Sequence, residues 1–349
     1  MLAAPREAGT PEAHAARDAV ARHLSALGYA VTLEPIRFTP SSLWALPVLG
    51  AGLGWLGLVL LPLLVMPTVT PWAALVLWAI GAVSLTALVW VVGAGWASLP
   101  LAGRLRDDAT IVATRSPEVR RWIVAHLDSK AQGHSMAGRI VAVWLVLLAA
   151  LALTALAALR VRGELPIVVA GAGAALAVLA GALAGRGRLK GRSVGARDNA
   201  SGLFAALTVA EHSTDDATGF LITAAEEFGL VGARAFARAH AAALRGCEVI
   251  NFDTLDDTGP LAVVRHDARG APLAAATAGR LGGLGLPVRV RRLPLGILVD
   301  SMPLARAGAA AVTVARLDRS TLRLIHTPRD AADGFAFDTA ERVGRALGA

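Results

Sequence analysis

Charge is absent from a long stretch of this chain: residues 39–103 contain no Asp, Glu, Lys or Arg. Such a run excludes an ordinary water-facing surface there. Cysteine is almost absent too, and the single Cys247 rules out an intramolecular disulfide. It reads as a small buried residue ahead of a strand. Residues 5–37 are polar and amphipathic, so we expect no cleavable signal peptide, with the first apolar run acting as its own anchor. There is no internal repeat and no low-complexity tail.

What is present is an excess of apolar residues, 55% of the chain, with a mean hydropathy of +0.57. That is too high for a soluble domain, and the excess is localised. Residues 43–66 and 72–98 are each long enough to cross a bilayer core of about 30 Å as a helix, and Pro67-Thr-Val-Thr-Pro71 would turn one into the other. A second pair, 140–159 and 165–185, is joined by Arg160-Val-Arg162-Gly-Glu164. Seven of the eight tryptophans lie in or beside these segments, with Trp44, Trp72 and Trp96 near segment ends where aromatic belts form. A lipid bilayer is therefore the first expected partner. Gly181-x-x-x-Gly185 has the spacing of a close helix contact, although in an Ala/Gly-rich segment it can be compositional.

The net charge of +8 and pI near 11.1 do not call for a nucleic acid, because much of the basic charge flanks the spans and suits anionic headgroups. An even number of spans puts 1–38, 104–139 and the C-terminal part on one side. That side carries Arg104, Arg106, Arg139, Arg186, Arg188, Lys190 and Arg192, against Arg160 and Arg162 on the other. The positive-inside rule then predicts a multi-pass cell-membrane protein whose larger part faces the cytoplasm.

With the hairpins removed, the remainder reads as one discontinuous α/β domain (1–42, 99–139 and 186–349) interrupted by transmembrane hairpins at 43–98 and 140–185. Helical periodicity covers 12–27 and 230–244, and a helix capped by Asp198 is expected to run to about 211. Strands are expected at 29–38, 109–114, 122–125, 220–224, 248–252 and 309–315. Several end at polar residues: His126-Leu-Asp128, Glu226-Glu227 and Asp253. Adding Asp198-Asn-Ala-Ser-Gly and His326 gives two imidazoles and five carboxylates at the strand ends where open α/β sheets place their sites, and two zinc ions need only three or four of those carboxylates. This is a sufficient inventory for two zinc ions. His134, His212, His240, His266 and the Asp256-Asp257 pair have no place in this pattern and read as interfacial or surface residues.

The order His-x-Asp, Asp-Asn-Ala-Ser-Gly, Glu-Glu, Asp, His-Thr-Pro-x-Asp resembles the di-zinc aminopeptidase family, which includes bacterial leucyl aminopeptidases, glutaminyl cyclases, glutamate carboxypeptidase and the transferrin receptor. Pro5-Arg6 with Gly9-Thr10, Ile111-Val-Ala-Thr-Arg115 and Asp300-Ser301 extend the likeness over nearly all the non-membrane sequence. The resemblance implies a mixed, mostly parallel sheet flanked by helices, carrying two zinc ions per chain. It implies that Asp198 bridges them, one ion completed by His126 and Asp253 and the other by Glu227 and His326. A carboxylate can serve two metals, while an imidazole serves one. Asp128 would orient His126, and Asp330 would either do likewise for His326 or be a solvated loop acid. Glu226, left without a metal, would act as general base, so no serine or cysteine nucleophile is needed.

The expected function is thus a membrane-anchored zinc metallopeptidase, an aminopeptidase hydrolase acting on peptides with a free N-terminus. Glutaminyl cyclase chemistry belongs to the same fold, and a non-catalytic binding protein would betray itself by missing ligands. A transporter would need charges within its spans, which these lack.

Overall fold

The most apolar short runs outside the candidate spans become the middle of a sheet, where strands covered on both faces need no polar alternation. In the computed structural model, which describes residues 3–93, 104–294 and 297–349, the chain forms two compact units. The first comprises Met1–Phe38, Leu105–Ala131 and Gly191–Ala349, and the second Thr39–Arg104 and Gln132–Lys190.

The first unit opens with α1 (Pro11–Ala26), capped by the Thr10 side chain, and β1 (Ala30–Phe38). The second unit supplies α2 (Ala45–Val65) and α3 (Pro71–Gly93). After β2 (Arg106–Thr114) and β3 (Arg121–His126) come α4 (Met136–Arg160) and α5 (Ile167–Gly185), again of the second unit. The first then continues with α6 (Gly202–His212), β4 (Thr218–Thr223), α7 (Val231–Ala239), α8 (Ala241–Leu244) and β5 (Glu248–Leu255). It ends with β6 (Leu261–Arg265), α9 (Gly270–Gly282), β7 (Val288–Arg292), α10 (Ser301–Arg306), β8 (Ala310–Arg316), α11 (Arg319–Leu324) and α12 (Asp338–Gly348).

The eight strands lie in the order β1-β2-β4-β3-β5-β8-β6-β7. The middle four are mutually parallel, while β2 joins β4, and β6 joins β8, antiparallel. This is the mixed, mostly parallel sheet flanked by helices that the sequence predicts. Its core runs from Val20 and Leu24 through Ile123, Phe220 and Phe252 to Val343 and Leu347.

Some local expectations need correction. Asp198 does not cap a helix: it lies in a kinked turn, Ala196–Ser201, and the helix starts only at Gly202. The helix expected over 230–244 breaks at His240, whose ring meets Glu34 Oε1 at 2.6 Å. β5 continues past Phe252, with its register shifting between Phe252 and Leu255, so Asp253 lies inside an irregular strand rather than after it.

All four candidate spans form helices long and apolar enough to cross a membrane. Residues 94–98 of the second, with Trp96, lie outside the described residues. α4 starts earlier than expected because Ser135 caps it by accepting from Gly138 N, which brings Arg139 into its first turn. Its last residue, Arg160, is buried and donates to the carbonyls of Leu63, Met66 and Val69 at the end of α2 and in the following turn. α2 and α5 touch through small residues. A Cβ on Gly50 would lie 2.4 Å from Ala184 Cβ, and one on Gly181 would lie 2.4 Å from the Gly50 carbonyl oxygen. Gly185 has open space, so only half of the Gly181-x-x-x-Gly185 spacing is used.

Candidate metal centre

β3 brings His126 to its C-terminal end, paired across from Thr223, the last residue of β4. Two residues beyond Thr223, Ala225 turns through φ 57°, and Glu226 and Glu227 follow. Thr254 (φ 60°) beside Asp253, and His326 itself (φ 64°), also adopt the left-handed region. Non-glycine residues held there cost energy and tend to gather where side-chain direction matters.

The Asp-Asn-Ala-Ser-Gly segment is explained by what its side chains hold. Asn199 Oδ1 accepts from Gly202 N and Thr254 N, and its Nδ2 donates to Phe252 O. Ser201 Oγ accepts from Leu255 N. These bonds join the turn carrying Asp198 to the irregular part of β5 carrying Asp253. Gly202 is needed for the approach, since a Cβ there would lie 2.1 Å from Asn199 Oδ1.

The two carboxylate oxygens of Asp198 face different imidazoles. Oδ1 lies 3.2 Å from His126 Nε2 and Oδ2 lies 3.1 Å from His326 Nε2. Glu227 Oε2 is 3.4 Å from His326 Nε2. His126, Asp198 and Asp253 form one group of converging ligand atoms, and Asp198, Glu227 and His326 form another. Glu226 belongs to neither. The donor set fits zinc: two ligand atoms each about 2.0–2.1 Å from a tetrahedral ion lie about 3.3 Å apart. Glu227 Oε1, buried and without a hydrogen-bond partner among the described residues, is what a further cation would satisfy.

Neighbouring groups position these side chains. Asp128 accepts the backbone N–H of Glu226 on Oδ1 and of Glu227 on Oδ2, so its carboxylate holds the paired glutamates. His126 Nδ1 lies 3.0 Å from the Asp128 carbonyl oxygen and 3.8 Å from its Oδ1, so the backbone, rather than the carboxylate, makes the close contact with the ring. Asp330 does not touch His326. It accepts from Arg197 N and Asp198 N and so fixes the turn.

Electrostatically, the cluster carries more acid than base. Burial pushes Asp128 and Asp253 up to about 7, and Asp300 and Asp330 to about 6. Burial also drives Glu226 well above the usual carboxyl range; His126 opposes this, while Glu227, Asp300 and Asp253 add to it. For Asp198 burial is outweighed by its bonds to the two imidazoles, which hold it below its ordinary value. Crowded carboxylates of this kind are stabilised by bound cations.

Two residues that take part were not singled out as site residues from the sequence. Arg6, fully buried, donates to the carbonyls of Leu127, Val194 and Gly195, tying together the segments that carry His126 and Asp198. Lys130 Nζ lies 2.5 Å from Glu227 Oε2. The available signal was a charged residue directly beyond Asp128-Ser129 in a buried stretch.

Residues 182–349 match the model of Peptidase family M28. The M28 match takes in Asp198, Glu226, Glu227, Asp253 and His326, so the resemblance read from the motif order holds. No curated protein matches the sequence. Among solved structures, the aminopeptidase from Aneurinibacillus sp. strain AM-1 is similar over 99% of this chain and 89% of that one, with TM-score 0.55 and 14% identity. The glutaminyl cyclase of Fimbriiglobus ruber is similar over 99% and 88%, with TM-score 0.54 and 14% identity. A leucine aminopeptidase precursor from Bacteroides thetaiotaomicron gives 99%, 90%, 0.55 and 14%. At such identity these likenesses speak for the fold.

Proposed function

We propose that this chain is a membrane-anchored, zinc-dependent exopeptidase that removes residues from the free N-terminus of peptides. The observation that carries the reading is Asp198, whose two oxygens serve two separate imidazole-containing groups while Glu226 stands outside both. His126 and Asp253 would hold one zinc ion and Glu227 and His326 the other, with Asp198 common to both. Bound zinc would lower the pKa of a water and polarise the scissile carbonyl. Glu226 would take the proton of the attacking water and return it to the leaving amine. Asp128 fixes the backbone that presents Glu226, and Arg6 keeps the His126 and Asp198 segments in register.

Zinc analysis of the purified protein, with a panel of aminoacyl chromogenic substrates before and after chelation, tests this reading. We expect close to two zinc ions per chain, with activity lost on chelation and regained with zinc or cobalt. Full activity without metal would sink it. A peptide with N-terminal glutamine belongs in the panel, because cyclisation with ammonia release, without hydrolysis of the other substrates, would make the chain a glutaminyl cyclase instead.

The four apolar helices would span the membrane, with the catalytic unit on the cytoplasmic side. Arg160 carries little weight in the opposite direction, since its charge is enclosed by the carbonyls of Leu63, Met66 and Val69. Thr68 and Thr214, both exposed, are suitable cysteine sites in a Cys247→Ser background. A membrane-impermeant thiol reagent applied to intact cells should label the cysteine at 68 and spare that at 214; the reverse would place the catalytic unit outside.

A further inference from the structure

Lys130 has no part in the chemistry above. It follows Asp128-Ser129, its side chain is buried, and its Nζ lies 2.5 Å from Glu227 Oε2 and 3.4 Å from the Glu227 carbonyl oxygen. That same Oε2 faces His326 Nε2 at 3.4 Å. One carboxylate oxygen is therefore shared between an ammonium and one of the two ligand groups. The other group has no such neighbour: Asp253 accepts from Thr254 Oγ1 and makes no ion pair with a lysine or arginine among the described residues.

The choice of lysine is informative. Of the 34 basic residues only Lys130 and Lys190 are lysines, and the other fully enclosed cations, Arg6 and Arg160, are arginines that each gather several carbonyls. A compact ammonium is a point charge suited to a single carboxylate. In a buried setting its field is poorly screened, so a divalent ion using Glu227 must share that charge and face a nearby positive charge.

We propose that Lys130 makes the two metal positions unequal: it is an internal counter-ion to Glu227 that weakens the position of Asp198, Glu227 and His326, so that the position of His126, Asp198 and Asp253 fills first. The inference rests on the two-zinc reading and deepens it, because occupancy of the second position then follows the zinc supply.

The test is a zinc titration of metal-depleted full-length protein in detergent, followed by calorimetry and by competition with a chromophoric chelator. Wild type should bind in two steps whose Kd values differ by about tenfold or more, and Lys130→Met should tighten the weaker step by about tenfold while moving the tighter by less than about threefold. Lys130→Gln, which keeps a donor without the charge, should do the same and guards against a folding defect in the first variant. Asp253→Asn should remove the tighter step and spare the weaker. Equal steps in wild type, an unchanged separation in both Lys130 variants, or a weakened second step would each overturn the inference while leaving two-zinc binding intact. Absence of zinc binding by wild type would overturn the two-zinc reading, and the inference with it.

Discussion

Ile123, Phe220 and Val249 are sealed inside the sheet unit, whereas Trp144, Leu151 and Val168 stand on the outside of the helical unit, 64%, 69% and 78% exposed. The polar residues are reversed as well. In the sheet unit buried charge is concentrated at the strand ends, where Asp198, Glu226 and Glu227 lie beside His126, His326 and Lys130. In the helical unit Trp78 Nε1 donates to Thr154 Oγ1 between two helices, and α2 meets α5 through glycine and alanine. The contrast is the one that two solvents, water and lipid, would produce. Water rewards an apolar interior, whereas lipid makes an apolar exterior free of cost and leaves packing of small residues to hold helices together.

The largest effect is expected where the sheet unit spends its buried charge. Asp198→Asn removes a carboxylate shared by both ligand groups, so zinc content should fall from two towards none and activity to background, read by metal analysis and substrate turnover. Retention of both metals would show that Asp198 does not bridge. Glu226→Gln keeps the shape and both ligand groups, so turnover should fall by about 10²–10⁴ with metal content unchanged. Equal loss of zinc would exchange the roles of Glu226 and Glu227.

How far this was legible from the sequence follows the same division. The four long apolar helices were visible because their length and apolarity lie in consecutive residues. The central strands were visible because burial on both faces leaves continuous apolar runs such as the Trp122–Ala125 portion of β3. Among site residues, His126, Asp198, Glu227, Asp253 and His326 could be picked out by type and order, and the folded chain brings them into two groups. Arg6 and Lys130 were not picked out, although Lys130 directly follows Asp128-Ser129, since their bonding partners lie about a hundred or more positions away and a buried cation is best recognised beside what it neutralises. The kink at Asp198 was missed for a related reason. Asp followed by small residues reads as a helix cap, whereas here Asn199 and Ser201 bond β5 instead.

The comparison can be broken from the helical side. Leu151 lies in α4 and is exposed, so in water Leu151→Asp would be nearly neutral or favourable. In a bilayer a central Asp costs about 2.5–3.5 kcal/mol of insertion free energy. We expect the variant to reduce the membrane-inserted fraction in a glycosylation-reporter insertion assay, without changing zinc affinity of the protein that does insert. Full insertion of the variant would remove lipid as the solvent of this unit.

The smallest effect should come from Gly181→Ala, which adds one methyl group where α5 meets α2. The added Cβ would sit 2.4 Å from the Gly50 carbonyl oxygen, and backbone cannot swing aside as a side-chain end can. The helices must separate, and overpacking of this kind typically costs about 1–3 kcal/mol. Gly185→Ala is the matched control: its Cβ would meet nothing within 4 Å, and alanine favours helix, so stability should be unchanged or slightly higher. Both are read as the detergent or SDS midpoint for unfolding of the helical unit. A midpoint lowered by Gly181→Ala and not by Gly185→Ala would place the close contact at Gly181. Equal effects would mean that α2 and α5 are not held at this distance and that the glycines there reflect composition alone.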